Sequence, residues 1–233
     1  MADLDRTIKW INKTEGRDKF CKCIQYGSRF LMWSLQNKDK ENSDRFKAMF
    51  NGMKNARKLF RLFKSVNEYQ KLSQMLKETG DDDFAFYLNI LNRLGFFFYW
   101  IFDNLNILGA IKFLNVDNKK HALNGARCWF FSLVMALILN VRNLIKISHK
   151  QIAIEKELAK CDESQAQLRK AELEKLKAKR IDTILALLKT LGDLITSSQG
   201  SEFAPKILKI NFNDGWIGFG GFLSAIITCY QLY

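Results

Sequence analysis

The chain has 233 residues, of which 48% are hydrophobic and 26% are charged, and its formal net charge is +13. These proportions exclude a generally disordered chain, which requires low hydrophobicity. A single proline among many Leu, Lys, Glu and Ala residues favours a mostly helical protein. The excess of basic residues implies a polyanionic partner, either nucleic acid or the anionic surface of a membrane.

The cysteines and the N-terminus bound the cellular context. The five cysteines are scattered and odd in number, and no Cys-x-x-Cys pair occurs. We therefore expect reduced thiols and no disulfide framework. The polar N-terminus, which begins with Asp3 and Asp5, lacks the features of a secretory signal peptide.

The first third of the chain predicts several helices. Apolar residues at helical spacing predict one or two short helices over residues 1–35, followed by a polar loop at 36–44. Residues 45–78 predict one long amphipathic helix, which Gly80 and the aspartates at 81–83 interrupt. Those aspartates are suited to cap the helix that follows.

A strongly aromatic segment covers residues 84–114. Polar side chains interrupt it at Arg93, Asp103, Asn104 and Asn106. The segment is a poor spanning helix by hydropathy, because an aspartate in mid-helix costs roughly 2.5–3.5 kcal/mol on insertion scales. The same polar residues are of the kind that lines a polar path through a membrane.

The second apolar segment is shorter. After a polar loop at 115–125, residues 126–141 contain the uncharged run Cys128–Val141, which is short of the roughly 20 residues that a spanning helix needs. Three interpretations remain open for it: an interfacial helix, a re-entrant segment, or half of a hairpin with 84–114. The basic blocks on either side, 1–82 and 142–181, both favour the cytosolic side and hence the hairpin.

The C-terminal third alternates charged and apolar stretches. Residues 146–180 predict a charged helix without a strict heptad, and residues 181–195 present one apolar helical face. The last stretch, 216–233, carries no charge and, at 1.5 Å per residue, reaches about 27 Å, close to the ~30 Å hydrocarbon thickness. Small residues four apart allow close helix packing in a membrane. They are Gly218, Gly220, Gly221, Ser224 and Ala225.

Together these segments predict an all-α, membrane-associated protein. The predicted organisation is an N-terminal helical region (1–83), apolar membrane-associated segments (84–145), a charged and amphipathic helical region (146–196), a linker (197–215) and a C-terminal membrane helix (216–233).

The amphipathic helix at 45–78 is the most informative functional pattern. In its first two-thirds, Phe and Met residues lie on one face and most of the basic residues lie on the other. No acidic residue occurs between Arg45 and Lys64. Such a helix suits a membrane surface, because the apolar face enters the acyl boundary while the cations meet lipid phosphates. The alternatives are a core helix with a solvated basic face, or an acidic partner such as nucleic acid. The predicted membrane-binding residues are Phe46, Lys47, Met49, Phe50, Met53, Lys54, Arg57, Lys58, Leu59, Phe60, Arg61, Phe63 and Lys64.

No pattern in the sequence predicts catalysis. The two histidines, His121 and His149, lie in different segments without a Cys or acidic partner at ligand spacing, and no phosphate-binding glycine loop occurs. We therefore predict a protein that is not an enzyme and that holds no cofactor or metal.

The stretch from Thr14 to Phe30 resembles the opening signature of the peroxisomal biogenesis factor 11 (peroxin-11) family. The matching residues are Thr14, Gly16, Arg17, Asp18, Lys19, Gln25, Tyr26, Arg29 and Phe30. The order of the later features is also similar to the family: a basic amphipathic helix, an aromatic segment, a charged stretch and a glycine-rich apolar tail.

This resemblance implies a peroxisomal membrane protein whose N-terminal region faces the cytosol. It implies elongation of the membrane before fission, homo-oligomers, an anionic phospholipid surface as partner, and cooperation with a dynamin-like GTPase and its fission adaptor. It also implies an alternative, a membrane pore for small metabolites. Nucleic-acid binding is not expected, because the apolar tail argues against it, and a third hypothesis is a scaffold that recruits partners through 146–180.

Overall fold

The computed structural model describes residues 2–77, 82–159 and 163–233, and every regular element within these ranges is a helix. The helices are α1 (Ala2–Asn12), α2 (Thr14–Leu35), α3 (Lys40–Phe60), α4 (Lys64–Met75), α5 (Asp83–Ala110), α6 (Asn118–Leu158), α7 (Glu163–Gly200), a π-helix (Ala204–Leu208) and α8 (Asp214–Leu232). The predicted all-α class is thereby confirmed.

The helices form a closed ring in chain order. Helix α2 packs on α3, α4 packs on α5, and α5, α6, α7 and α8 each pack on the next. Helix α8 then packs on α2, which closes the ring. Helix α1 contacts α2 and reaches the C-terminus, where the Arg6 Nε donates to the Tyr233 carbonyl at 2.6 Å. The ends of the chain therefore meet at the closure.

The predicted helix over 45–78 is wrong in its bounds, because two helices occupy this stretch. Helix α3 begins at Lys40, where the Asp39 carboxylate caps it by accepting from the Asn42 backbone N–H at 3.1 Å. It ends at Phe60, and Phe63 follows in the left-handed conformation with φ 60°. An L-residue in this conformation cannot continue a right-handed helix, so the chain turns before α4. The predicted loop at 36–44 shrinks accordingly to 36–39.

The predicted aspartate cap is confirmed at Asp82, whereas Gly80 and Asp81 lie outside the described residues. The Asp82 carboxylate accepts from the Ala85 N–H at 3.2 Å and begins α5. It also accepts two bonds from Arg142 of α6, each at 2.8 Å, and one from Lys146. These hydrogen bonds lower the pKa of Asp82 below its usual range and tie the start of α5 to the middle of α6.

The predicted loop at 115–125 is largely helical. Asp117 caps α6 by accepting from the backbone N–H groups of Lys119 and Lys120, both at 3.0 Å. The helix then continues for 41 residues, so the apolar run Cys128–Val141 is the middle of a long helix rather than a short separate segment. Sequence hydropathy marked only the apolar part, because the flanking turns are polar.

The charged stretch 146–180 is a helical hairpin rather than one helix. Helices α6 and α7 pair along it through the ion pairs Lys150–Glu172, at 3.0 Å, and Arg169–Glu157, at 2.9 Å. Apolar side chains fill the space between the two helices beneath these charges. They are Ile147, Ile154, Leu173 and Leu176. The predicted linker 197–215 likewise begins as helix, since α7 extends to Gly200 and the π-helix follows.

By length and composition, two of the described helices, α6 and α8, could cross a membrane. They differ in their surroundings. Helix α8 is packed between α2 and α7, whereas little of the apolar stretch of α6 is buried inside the bundle. The outer surface of the ring is apolar at many points on α5 and α6, including Phe98, Phe131 and Ile145.

Candidate functional site

The resemblance motif in α2 meets α3 through a buried ion pair. Asp18 is only 1% exposed, and its carboxylate accepts from the Arg57 Nε at 2.9 Å. The same guanidinium donates to the Gln25 Oε1 at 2.8 Å, and the ammonium groups of Lys19 and Lys64 each lie 3.7 Å from Asp18. Burial alone would raise the pKa of Asp18, but the surrounding cations lower it to about 2. The motif therefore contains the anion that holds α3 against α2.

The other end of the motif packs against the glycines of α8. A Cβ at Gly218 would lie 2.6 Å from the backbone nitrogen of Phe30, and a Cβ at Gly221 would lie 2.2 Å from the Tyr26 ring. Arg29 forms an ion pair with Asp214 at the start of α8, at 2.6 Å. The small residues of the tail thus permit close helix packing, as their spacing predicts, and here the packing is within one chain.

Hydrogen bonds from Lys22 link α7 to the interface between α2 and α8. The Lys22 Nζ donates to the Ser224 Oγ at 2.8 Å and to Asp193 of α7 at 2.7 Å. Helices α7 and α8 cross closely, since a Cβ at Gly220 would lie 2.6 Å from the Gly192 carbonyl oxygen. Ala225 is fully buried at this crossing. Lys22 therefore links α2, α7 and α8.

The first residues of the motif form the junction between α1 and α2. Thr14 is the first residue of α2, and a Cβ at Gly16 would lie 2.1 Å from the Trp10 carbonyl oxygen. Arg17 donates from its Nε to the Ile11 carbonyl at 2.9 Å. Gly16 thus permits a close approach near the start of the helix.

The structure divides the predicted membrane-binding residues into three groups. It exposes Lys47, Met49, Lys54, Leu59 and Phe63. It half-buries Phe46, Phe50, Met53, Lys58, Phe60, Arg61 and Lys64. It buries Arg57 in the ion pair with Asp18.

Several cations of the predicted lipid-facing set point into the bundle. Arg61 forms an ion pair with Asp103 of α5 at 3.1 Å, and the Lys64 ammonium lies 5.1 Å from the centre of the Trp100 ring. The predictions that Arg61 lies on an outward basic face and that Arg57 reaches outward from its border are wrong, because buried carboxylates of α5 and α2 bind them. Exposed Lys47 keeps the predicted orientation.

An exposed apolar surface lies where α3 turns into α4, and we call it the corner. It comprises Leu59, 71% exposed, Phe63, 74% exposed, and Val66, 59% exposed. The left-handed conformation of Phe63 is rare for a bulky side chain, and strained residues of this kind cluster at functional sites. The corner keeps the apolar character that the sequence predicts for this stretch, on a smaller surface.

The helices surround a partly open cavity of about 610 Å³, lined by polar and apolar residues from α2 to α8. Its wall includes Arg93, which lies 3.2 Å from Glu68 of α4, and Glu68 also binds Lys71 at 2.8 Å. Sequence analysis missed Glu68, Lys189 and Asp193 as interior residues. For Lys189 and Asp193 a signal was available, because both are charged residues within the apolar stretch of α7, where an ionisable group needs a partner or water.

No group of three or more His, Cys, Asp or Glu side chains among the described residues could hold a metal ion. Two thiols lie close together where α8 packs on α2, because the Sγ atoms of Cys23 and Cys229 are 3.6 Å apart. Cys161 lies outside the described part of the chain.

A ring of helices with exposed apolar side chains on α5 and α6, charged groups inside and two helices of spanning length is compatible with a helical membrane protein. The family model of peroxisomal biogenesis factor 11 (PEX11) matches residues 4–233. The peroxisomal membrane protein 11 homolog of Dictyostelium discoideum is 27% identical over 99% of this chain and 94% of its own length. Peroxisomal membrane protein 11C of Arabidopsis thaliana is 30% identical over 99% of this chain and 92% of its own. No solved structure matches the chain.

The chain therefore belongs to the peroxisomal biogenesis factor 11 family, as the motif in α2 indicates. It is a peroxisomal membrane protein with a role in peroxisome proliferation, and the family is one of biogenesis factors rather than a known enzyme family.

Proposed function

We propose that the chain binds and elongates the peroxisomal membrane by inserting the corner, Leu59, Phe63 and Val66, into one leaflet. The observation that carries the proposal is the exposure of this apolar surface, in a member of a family of peroxisomal membrane proteins. Exposed Lys47, on the same helix as Leu59, supplies the attraction to anionic phospholipids.

The energies suit a shallow, reversible contact. Burying a Leu or Phe side chain contributes about 1.5–3 kcal/mol, and each cation near an anionic surface adds about 1 kcal/mol. One corner therefore binds weakly, whereas many corners on adjacent copies would expand one leaflet and bend the bilayer. This is the reason for including homo-oligomers in the proposal. Because the tail glycines are already packed within the chain, copies would associate through other surfaces.

The proposal is tested on the full chain reconstituted into vesicles, with tubule length measured by electron microscopy. Leu59→Ser/Phe63→Ser should shorten or abolish tubules on anionic vesicles while leaving incorporation unchanged. The matched control is Leu168→Ser/Phe113→Ser, which removes the same side chains at 73% and 74% exposure elsewhere on the surface. Undiminished tubulation by the corner variant, or an equal loss in the control, would contradict the proposal.

Phe63→Gly separates insertion from folding. A non-glycine residue in the left-handed conformation costs roughly 1–2 kcal/mol, which glycine avoids. We expect a variant that unfolds at no lower temperature than the wild type in detergent and yet elongates vesicles poorly. A stable variant with full tubulation would show that the Phe63 side chain is not inserted.

The proposal places the N-terminal region, and with it the corner, on the cytosolic side. There the elongated membrane would be accessible to a dynamin-like GTPase and its fission adaptor, the partners expected from the family. Protease treatment of intact peroxisomes should then cleave an epitope tag placed before α1, and a tag protected until detergent is added would reject this orientation.

The closed ring favours a second candidate function, a pore for small metabolites. Its specific observation is the polar cavity, with charged groups such as Asp103 and Arg93 on the inner side of apolar helices. Single-channel recording from reconstituted full-length chain tests it. Conductance that changes in Asp103→Leu supports the pore, and its absence in the wild type rejects it.

A further inference from the structure

The charges around the cavity do not balance. Eight lysine and arginine side chains line it, against three carboxylates. Two further carboxylates, Asp18 and Asp103, lie directly behind the lining arginines. The lining therefore carries an excess of about three positive charges, of which some lie on partly exposed side chains such as Lys71 and Arg93. The less exposed cations are costly to leave without a counter-charge.

The uncompensated charge is concentrated on lysines. Among the described residues, Lys54 and Lys189 line the cavity without a carboxylate within 4 Å, and Lys19 approaches carboxylates only at 3.7 and 3.9 Å. By contrast, Lys22 lies 2.7 Å from Asp193. Lys189 donates one hydrogen bond, to the Gln231 Oε1 at 3.1 Å, so its other N–H groups are available to a ligand, whereas the arginines hold the helices together.

Lys19, Lys22 and Lys189 also repel one another. Burial and the charge of Lys22 lower the pKa of Lys19, against the opposing effect of Asp18. Burial and the charges of Lys19 and Lys22 lower the pKa of Lys189. A lowered lysine pKa means that the charged form is disfavoured, and an anion placed among these groups would reverse that effect.

The remaining wall of the cavity is aromatic. Tyr99 of α5 and Trp129 of α6 stack with ring centres 5.7 Å apart, and Phe96 and Trp100 lie beside them. A cavity lined by both cations and aromatic rings suits a ligand with one charged and one apolar part.

We propose that the cavity is a binding site for a phosphate-bearing organic anion, whose phosphate lies beside Lys19 and Lys189 and whose apolar part lies against the aromatic side chains. Phosphate fits better than a single carboxylate, because a phosphate ester carries about −1.5 to −2 charges at neutral pH and matches the excess more closely. The site is independent of the corner, which lies on the outside of the bundle. Either a soluble organic phosphate or the headgroup of a membrane lipid supplies this chemistry.

The test is binding by the full chain in neutral detergent, followed by isothermal titration calorimetry and by the thermal unfolding midpoint. The two probes are inorganic pyrophosphate and lysophosphatidic acid in mixed micelles. Binding of pyrophosphate identifies a site that accepts soluble phosphates, whereas binding of lysophosphatidic acid alone identifies a lipid headgroup site. Either result supports the proposal when the cavity variant abolishes it.

The cavity variant is Lys189→Gln, which removes one charge without a carboxylate partner and breaks no ion pair. Its matched control is Lys179→Gln, with the same charge change on the exposed surface of the same helix. We expect the cavity variant to bind at least about tenfold more weakly and the control to bind as the wild type does. Unfolding midpoints without ligand show that both variants are folded. Binding of neither probe by the wild type, or equal weakening in both variants, would overturn the proposal.

Discussion

Replacing Asp18 with Asn is the sharpest test of how the ring is held together. The substitution keeps the shape of the side chain and removes the charge, leaving the Arg57 guanidinium and the ammonium groups of Lys19 and Lys64 around a neutral amide. The lowering of the Asp18 pKa from 3.8 to about 2 corresponds to about 2 kcal/mol of folding free energy. Because the variant also leaves buried cations without a counter-charge, we expect its free energy of unfolding to fall by about 3–5 kcal/mol in total.

The pH dependence follows from the sign of the same shift. A carboxyl whose pKa is lowered by folding stabilises the protein above its unfolded pKa, near 3.8, and this contribution is lost as the pH falls towards 2. The wild type should therefore lose more stability between pH 4 and pH 2 than Asp18→Asn does. The assay is urea unfolding in detergent, followed by circular dichroism at each pH.

A double-mutant cycle separates the ion pair from other effects. Arg57→Gln alone should also destabilise strongly, since it leaves Asp18 buried without its main partner, whereas Asp18→Asn/Arg57→Gln should cost much less than the sum. Asp44→Asn, on the exposed surface of α3, is the control and should stay within about 0.5 kcal/mol of the wild type. Additive losses for Asp18 and Arg57 would refute the ion pair as the link between α2 and α3.

Two further predictions concern the packing of α8. Gly218→Ala forces a Cβ against a backbone nitrogen of α2 and should destabilise the protein by about 1–3 kcal/mol. Gly52→Ala, in open space on α3, should instead stabilise it by up to about 1 kcal/mol. Equal changes in the free energy of unfolding in urea would contradict the packing of α8 on α2. A mild oxidant should join Cys23 to Cys229 within one chain, because their sulfur atoms lie 3.6 Å apart, and mass spectrometry of the digest should find this cross-link rather than one from Cys21. A protein in which α8 leaves α2 would not form it.

Much of the helical architecture follows from periodicity and caps. The helical class, the aspartate cap at Asp82 and the packing role of Gly218 and Gly221 are all visible in the sequence, because each depends on residues close together in the chain. The motif in α2 likewise identifies the family. Its physical role was not visible, since Arg57, the partner of Asp18, lies 39 residues away.

The break between α3 and α4 shows why the rest could not be predicted. No proline or glycine marks residues 61–63, and the turn depends on the left-handed conformation of Phe63. The basic residues Arg57, Arg61 and Lys64 recur at helical spacing, so on a helical projection they look like a solvated face. Only the tertiary structure shows that buried carboxylates of α2 and α5 bind them.

The basic residues of α3 and of the turn that follows it are therefore of two kinds. Arg57 and Arg61 hold the ring together from inside, whereas Lys47 is exposed and free to meet lipid phosphates. Neutralising all of them at once would abolish membrane remodelling even if no cation touched a lipid, because the ring itself would lose stability. Reduced vesicle elongation by Lys47→Gln with an unchanged unfolding midpoint would assign lipid binding to α3. The corner and cavity variants separate function from stability in the same way, for membrane insertion and for phosphate binding.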